Sequence, residues 1–241
     1  MGRLPTHDIP AAGGQPGKLT LPRGRRRARS ADEKDTRRAA LIAAAAAALA
    51  EHGYDSVTIG AVAAGAGMAK GTAYLYFPTR DALFLALLTE DLGEWLDALP
   101  GAIGAEASPD APDRVARAIA TSLAARPRLM ELLSLVHTTL EPNTPPGDLA
   151  RFKRFLLERT RRTGEVIAEM LGVPVERGIH LLLRAHALAV GLRQMTAEPP
   201  PLAAVFAAEP ELAALRVPFA ETLAACLADM MRGWNVLPQP R

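Results

Sequence analysis

The sequence predicts an all-α protein, on three observations. The chain has 241 residues, of which 49% are hydrophobic but only 5% aromatic, and alanine is abundant. Apolar residues recur at helical spacing over several long segments, whereas the alternation of apolar and polar residues that marks β-strands is absent. Proline and glycine separate these segments. The length suits one small domain followed by a larger one.

The N-terminal part combines two compositions. Residues 1–22 contain glycine and proline with little periodicity, which predicts a disordered lead-in. Residues 23–38 carry eight basic and three acidic side chains, although the net charge of the whole chain is only +2. Because this charge is local, we expect residues 1–30 to form a lead-in with a basic arm that includes Arg25, Arg26 and Arg27. If a helix-turn-helix follows, as residues 58–77 predict below, such an arm is expected to enter the adjacent minor groove of DNA. The alternative is a solvated arm.

The first regular helix is expected from about Asp35 to His52, ended by Gly53. Residues 58–77, TIGAVAAGAGMAKGTAYLYF, then predict two short helices joined by a turn. The hydroxyl of Thr58 can cap the first of them, and Gly67 can adopt the left-handed conformation that ends it. Two helices so closely connected are typical of a helix-turn-helix, so residues 31–80 are expected to form a DNA-binding domain.

A family resemblance strengthens this interpretation. It rests on T58, V62-A63, A66-G67-M68, G71-T72, Y74, Y76-F77, R80 and L83, and this pattern resembles the TetR family of bacterial transcriptional regulators. The resemblance is dense over residues 36–90; beyond them it extends only to length, helicity and order of parts. It departs at Ala69, where the family usually has a serine that caps the second helix, and at Ala73, where it has a larger aliphatic residue.

The resemblance implies that the second helix enters the major groove. Lys70 and Thr72 are expected to read base edges, while the hydroxyls of Tyr74 and Tyr76 donate to phosphates. For the two tyrosines the alternative is packing alone. The predicted DNA-binding residues are Arg25, Arg26, Arg27, Thr58, Ala69, Lys70, Gly71, Thr72, Tyr74, Tyr76 and Arg80.

Residues 81–241 are expected to form a helical regulatory and dimerisation domain. Thr79 can cap a helix that extends to about Leu99 and ends at Pro100 and Gly101. Further helices are predicted near residues 112–125, 127–140, 148–171, 175–196, 202–208 and 218–234, and the segment 141–147, EPNTPPG, interrupts them.

The resemblance also implies a ligand cavity and a two-fold dimer in this second domain. The predicted cavity residues are Trp95, Leu133, Val136, His137, Phe152, Phe155, Met170 and His186. The predicted dimer interface, on the last two long helices, consists of Ile179, Leu182, Leu183, Val190, Phe219, Leu223, Leu227 and Met230. For any one of these apolar side chains the alternative is plain core.

These features predict a cytoplasmic, nucleoid-associated regulator, most simply a repressor. It would bind a palindromic operator in double-stranded DNA as a homodimer and be released by a small, mainly apolar ligand. The alternative is an architectural DNA-binding protein without ligand control. An enzyme is not expected, because the sequence has no glycine-rich phosphate loop after a strand, no nucleophile elbow and no metal motif. No cofactor, metal or membrane partner is predicted.

Overall fold

The computed structural model describes residues 23–104 and 110–234, and in these ranges it contains α-helices but no β-strand. The all-α class is therefore confirmed. The predicted lead-in, residues 1–22, lies outside the described residues. The helices are α1 (Arg23–His52), α2 (Ile59–Gly65), α3 (Lys70–Tyr76), α4 (Arg80–Ile103), α5 (Ala111–Ala124), α6 (Pro127–Leu135), α7 (Pro146–Leu171), α8 (Val175–Thr196), α9 (Pro200–Ala208) and α10 (Phe219–Gly233).

Helix α1 begins at Arg23, well before the predicted start near Asp35, so residues 23–30 have a helical backbone instead of that of a disordered arm. The reason is local composition, since arginine and alanine are good helix formers and the helix contains no proline. The chain divides into two compact units between Arg38 and Ala39. In the described part of the first unit, the hydroxyl of Thr36 donates to the carbonyl of Asp32 at 2.8 Å.

In the second unit, the remainder of α1 buries Leu41, Ile42 and Leu49 in one hydrophobic core with α2, α3 and the helices that follow. Gly53 ends α1 with a φ of 70°, as the sequence predicts. A single 3-10 turn, Tyr54–Ser56, then leads to α2. The helix-turn-helix is thus anchored by an apolar face of α1.

Helix α4 continues to Ile103, past the predicted end at Leu99, although it contains Pro100. Proline lacks the amide that would normally bond to the carbonyl of residue Leu96. The hydroxyl of Thr163 in α7 donates to that carbonyl at 3.2 Å instead. A tertiary hydrogen bond therefore satisfies the backbone group that the proline leaves unpaired, and the helix is not broken.

The helices that follow the helix-turn-helix, α4 to α10, are called the body, and they are held together by the close packing of α7 on α8 and by an ion pair between the exposed Arg128 and the buried Asp91. Gly164 and Gly178 bring the two backbones together so closely that a Cβ at Gly178 would stand 2.1 Å from the Gly164 carbonyl oxygen. Asp91 in α4 is buried and accepts two hydrogen bonds from the Arg128 guanidinium, at 2.6 and 2.8 Å. None of the described helices is long and apolar enough to cross a membrane.

Candidate nucleic-acid interface and ligand cavity

The turn between α2 and α3 has the geometry that the sequence predicts. The Thr58 hydroxyl accepts a hydrogen bond from the amide of Ala61 at 3.2 Å and so caps α2. Gly67 has a φ of 66°, and the next amide, that of Met68, donates to the carbonyl of Ala63 at 2.8 Å. This turn reverses the chain and brings α3 against α2, as in a helix-turn-helix.

Helix α3 has an inner and an outer face. Ala73 and, just beyond the helix, Phe77 are buried. The outer face carries four exposed residues, which are Lys70, Gly71, Tyr74 and Leu75. Thr72 and Tyr76 lie half-buried at its edges. A basic side chain, a phenolic hydroxyl and a bare stretch of backbone therefore share one exposed surface, a combination suited to phosphates and base edges.

The start of α3 lacks a side-chain cap, as the sequence predicts. Ala69 occupies the capping position with φ −69° and ψ 144°, an extended conformation. Its carbonyl accepts from the amides of Thr72 at 2.9 Å and Ala73 at 3.2 Å, but a methyl side chain cannot accept from the amides of the first turn.

Arg80 has a second set of contacts that the sequence did not indicate. Its Nη1 atom donates to the carbonyl oxygens of Val57 at 3.2 Å and Tyr54 at 3.4 Å, and its guanidinium lies 4.3 Å from the centroid of the Tyr54 ring. Arg80 therefore ties the first turn of α4 to the segment between α1 and α2. This contact supports the position of the helix-turn-helix; phosphate binding by Arg80 stays a prediction.

Sequence reasoning missed Tyr54, although its contacts join α4 to the head, the name given to α2, α3 and the short segments that flank them. Its hydroxyl donates to Oδ1 of Asp81, and its ring packs edge-on against Phe84 at a centroid distance of 5.0 Å. Burial, and next the hydrogen bond to Asp81, raise the pKa of Tyr54. Its only sequence signal was an aromatic residue directly after the helix-ending glycine.

The other predicted DNA-binding residues fall into two groups. Seven lie on the helix-turn-helix or at its edges: Thr58, Ala69, Lys70, Gly71, Thr72, Tyr74 and Tyr76. Arg25, Arg26 and Arg27 belong to the first turns of α1, and their side chains lie outside the described part of the structure.

A cavity of about 170 Å³ lies among α4, α6, α7, α8 and the π-helical turn Val136–Leu140. It is lined by Leu92, Trp95, Leu96, Leu133, Val136, His137, Glu141, Phe152, Lys153, Leu156, Thr160, Leu182, Leu183 and His186. Six of the eight predicted residues are among them. Phe155 instead packs on Gly93, and the sulfur of Met170 lies 4.0 Å from Nη2 of Arg114. Helical spacing shows which side chains point inward, but not which neighbour they meet.

Four of the polar residues that line the cavity form a cluster. Glu141 accepts a hydrogen bond from Nζ of Lys153 at 2.5 Å, and its other carboxylate oxygen lies 3.6 Å from Nδ1 of His137. The rings of His137 and His186 stack with their centroids 5.5 Å apart. Burial lowers the pKa of His186, although a hydrogen bond to the Leu133 backbone opposes this effect. Burial therefore favours the neutral form of His186.

A hydrogen bond connects the segment beside this polar cluster to the head. Thr79 caps α4 by accepting from the amide of Ala82 at 3.0 Å, and its hydroxyl donates to the carbonyl of Asn143, also at 3.0 Å. Asn143 follows Glu141 closely in the chain, and its side chain donates to the carbonyl of Thr139 at 2.8 Å. Thr79 thus links the start of α4 to the segment that carries the polar cluster.

Three of the predicted interface residues belong to the core of the chain itself. Leu182, Leu223 and Leu227 are buried, so their side chains are not available to a second subunit. This corrects the prediction for these three residues; apolar spacing alone does not distinguish core from interface. Leu183 is exposed, and Ile179, Val190, Phe219 and Met230 are half-buried.

A helix-turn-helix with an exposed basic and aromatic face, carried on a helical body, defines a DNA-binding protein. Residues 41–87 match the family described as "Bacterial regulatory proteins, tetR family", and residues 89–237 match the "Tetracyclin repressor-like, C-terminal domain". The chain belongs to the TetR family of transcriptional regulators, as the resemblance of residues 36–90 implied.

Similar proteins include the HTH-type transcriptional regulator EthR of Mycobacterium tuberculosis strain H37Rv, which is 39% identical over 71 residues, covering 30% of this chain and 32% of EthR. The Fatty acid metabolism regulator protein of Bacillus subtilis is 35% identical over 57 residues, 24% of this chain and 29% of that protein. These matches span about a third of the curated relatives or less. The superposition with a solved TetR-family structure from Mesorhizobium loti covers 84% of this chain and 96% of that protein's chain, with 16% sequence identity and a TM-score of 0.49.

Proposed function

We propose that this regulator is a repressor that binds a palindromic operator in double-stranded DNA as a homodimer and dissociates when a small, mainly apolar molecule fills the cavity. We place it on chromosomal DNA in the cytoplasm, with residues 31–80 as its DNA-binding domain and residues 81–241 as its regulatory domain. The main support for control by a ligand is the hydrogen bond between Thr79 and the Asn143 carbonyl, because it joins the head to the segment that contains part of the polar cluster.

The outer face of α3 supports the proposed DNA contacts. Lys70 and Thr72 would read base edges, Tyr74 and Tyr76 would donate to phosphates, and Gly71 would let the backbone approach the DNA. Arg25, Arg26 and Arg27 would add contacts whose strength depends on salt. Thr58, Ala69 and Arg80 would contribute at the edges of the site.

The cavity supports a specific kind of ligand. Its wall is made mostly of leucine and aromatic side chains, and four of its polar residues, His186 among them, form one cluster. An apolar molecule with one hydrogen-bonding group matches this distribution. The same cavity favours a ligand-controlled regulator over the architectural alternative, because an architectural protein has no use for it.

A second copy of the chain is the proposed partner of α8 and α10. On α8, Leu183 and Met195 are large apolar residues with 49% and 65% of their surface exposed, and the small exposed residue Ala187 lies between them in sequence. Two subunits related by a two-fold axis would present two α3 helices to successive major grooves, and each half-site alone would bind weakly.

Dimerisation can be tested by placing a charge on this surface. Ala187→Arg should shift the protein from dimer to monomer in sedimentation at micromolar concentration, because a charge without a partner would be buried between the subunits. Leu157→Arg, at an exposed position of α7, is the control and should leave the dimer intact. A monomeric wild-type protein would contradict the proposal.

Selection of bound duplexes from a random pool tests operator recognition directly. We expect an inverted repeat with half-sites about one helical turn apart, or a multiple of that distance. Recovery of sequences without symmetry or preference would contradict the proposed recognition of a palindromic operator by a dimer.

Ligand control is tested on the recovered operator. A panel of small apolar compounds is screened by thermal shift, since a ligand stabilises the folded state in proportion to its occupancy. Each stabilising compound should also release the operator from the wild-type protein. Leu133→Trp, which fills the cavity, should bind the operator but resist release. Absence of any stabilising compound would favour the architectural alternative.

A further inference from the structure

Leu75 is the most exposed large hydrophobic side chain in the described structure, with 83% of its surface accessible. It lies in the last turn of α3, on the outer face of that helix. One helical turn earlier, on the same face, is Gly71. A Cβ atom at Gly71 would meet no heavy atom within 4 Å, so the packing of the chain does not require glycine there.

Neither residue is explained by the stability of the free protein. A glycine in a helix is less favourable than alanine, because it loses more backbone freedom when it is ordered. An exposed leucine gains nothing from the hydrophobic effect until its surface is covered. Both residues lie side by side on the face that also carries Lys70 and Tyr74, whereas the opposite face of the helix buries Ala73. Their surroundings therefore suit an external partner that combines negative charge with a small apolar group.

DNA is the partner that has both properties. Lys70 and the hydroxyl of Tyr74 suit phosphates and polar base edges rather than an apolar protein surface. In the major groove, the apolar group that a base edge presents is the 5-methyl group of thymine. A leucine next to a glycine offers an apolar side chain beside an open space in which such a methyl group fits.

We propose that Leu75 is a specificity-determining residue that selects thymine in each half-site by packing against its methyl group, in the space that Gly71 leaves open. The proposal rests on the proposed operator recognition and adds one base to it. Removing one methyl group from water is worth about 0.8 kcal/mol, so loss of this methyl group should weaken binding about fourfold for each half-site.

The test uses the operator recovered from the random pool and the full-length protein. Each thymine of the half-site is replaced in turn by deoxyuridine, which differs only in lacking the methyl group, and affinity is measured by fluorescence anisotropy. With the wild-type protein, at least one position should show the loss of about fourfold. With Leu75→Ala the thymine and uracil operators should bind equally, and Leu75→Met should restore the difference.

Two controls make the result specific. Tyr74→Phe removes a hydroxyl from the same face and should weaken binding to both operators by the same factor. Circular dichroism should show an unchanged fold for Leu75→Ala, because the side chain is exposed. A difference between thymine and uracil that persists in Leu75→Ala, or that is absent from the wild-type protein, would refute the proposal while leaving operator recognition intact. Recovery of no preferred sequence would instead refute the proposed function, and this inference with it.

Discussion

Replacing Ala69 by serine should restore a side-chain cap that α3 lacks. The backbone at Ala69 already has the extended conformation of a capping residue, and the side chain is exposed, so a serine fits without rearrangement. Its hydroxyl would accept from an amide in the first turn of the helix. The expected gain is about 1 kcal/mol in the stability of α3.

A gain of this size reduces the population of the opened helix about fivefold. The amides of Ala73 and Phe77, which donate to the carbonyls of Ala69 and Ala73 at 3.2 and 3.0 Å, should therefore exchange with deuterium about fivefold more slowly if they exchange by local opening. In the wild-type protein, we expect residues 59–76 to exchange faster than α7 and α8, because Gly60 and Gly65 also weaken α2. Exchange is measured on the free protein by mass spectrometry.

The matched control is Ala64→Ser, which adds the same hydroxyl at an exposed position inside α2 where no capping amide is available. It should not slow exchange. Thr58→Ala removes the cap that α2 has and should speed exchange there. Equal exchange in Ala69→Ser and the wild-type protein, or equal slowing by Ala64→Ser, would refute the capping argument.

Three further predictions concern the body. Gly178→Ala should destabilise the protein by about 3 kcal/mol, because the added Cβ would collide with a backbone carbonyl of α7. Gly147→Ala, at an open position, should not lower the stability. The free energies of unfolding of the two variants are compared by urea denaturation. Arg128→Ala should cost about 2 kcal/mol in the same assay, because it leaves the buried Asp91 carboxylate unpaired, and Asp91→Asn should cost less. The free energy of unfolding should fall as the pH drops below about 6.5, because the pKa of His186 is lowered in the folded protein and the unfolded chain therefore takes up the proton more readily. His186→Gln should make the stability depend less on pH. The measurement is the urea midpoint between about pH 7.5 and 5.5.

Each of these predictions has a result that would contradict it. Equal unfolding midpoints for the two glycine variants would mean that the α7–α8 contact is looser than its geometry indicates. An unchanged midpoint for Arg128→Ala would mean that water satisfies the carboxylate. A pH dependence that is the same in His186→Gln would assign the effect to another group.

Local signals in the sequence predicted much of the helix-turn-helix. Thr58 as a cap and Gly67 as the reversal point were readable because capping and left-handed backbone angles depend on a residue and its immediate neighbours. The end of α4 was predicted wrongly for a related reason. A proline normally ends a helix, and only the distant Thr163 shows why Pro100 does not.

The cavity was predicted less completely, because its boundary depends on which helices are neighbours. Trp95 and His186 line it as expected, but Phe155 and Met170 face other parts of the body. Glu141 and Lys153 belong to the lining although they are charged. Their ion pair could not be predicted from spacing along one helix, because the two residues lie on different elements.

The sequence by itself determined the helical class, the family and the position of the helix-turn-helix, since these follow from periodicity and from a motif with short spacing. The tertiary structure alone decided how the head is held. Arg80 and Tyr54 brace the segment before α2, and Thr79 reaches the carbonyl of Asn143. Such contacts join residues far apart in the chain, so their existence depends on how the helices pack, which no local pattern specifies.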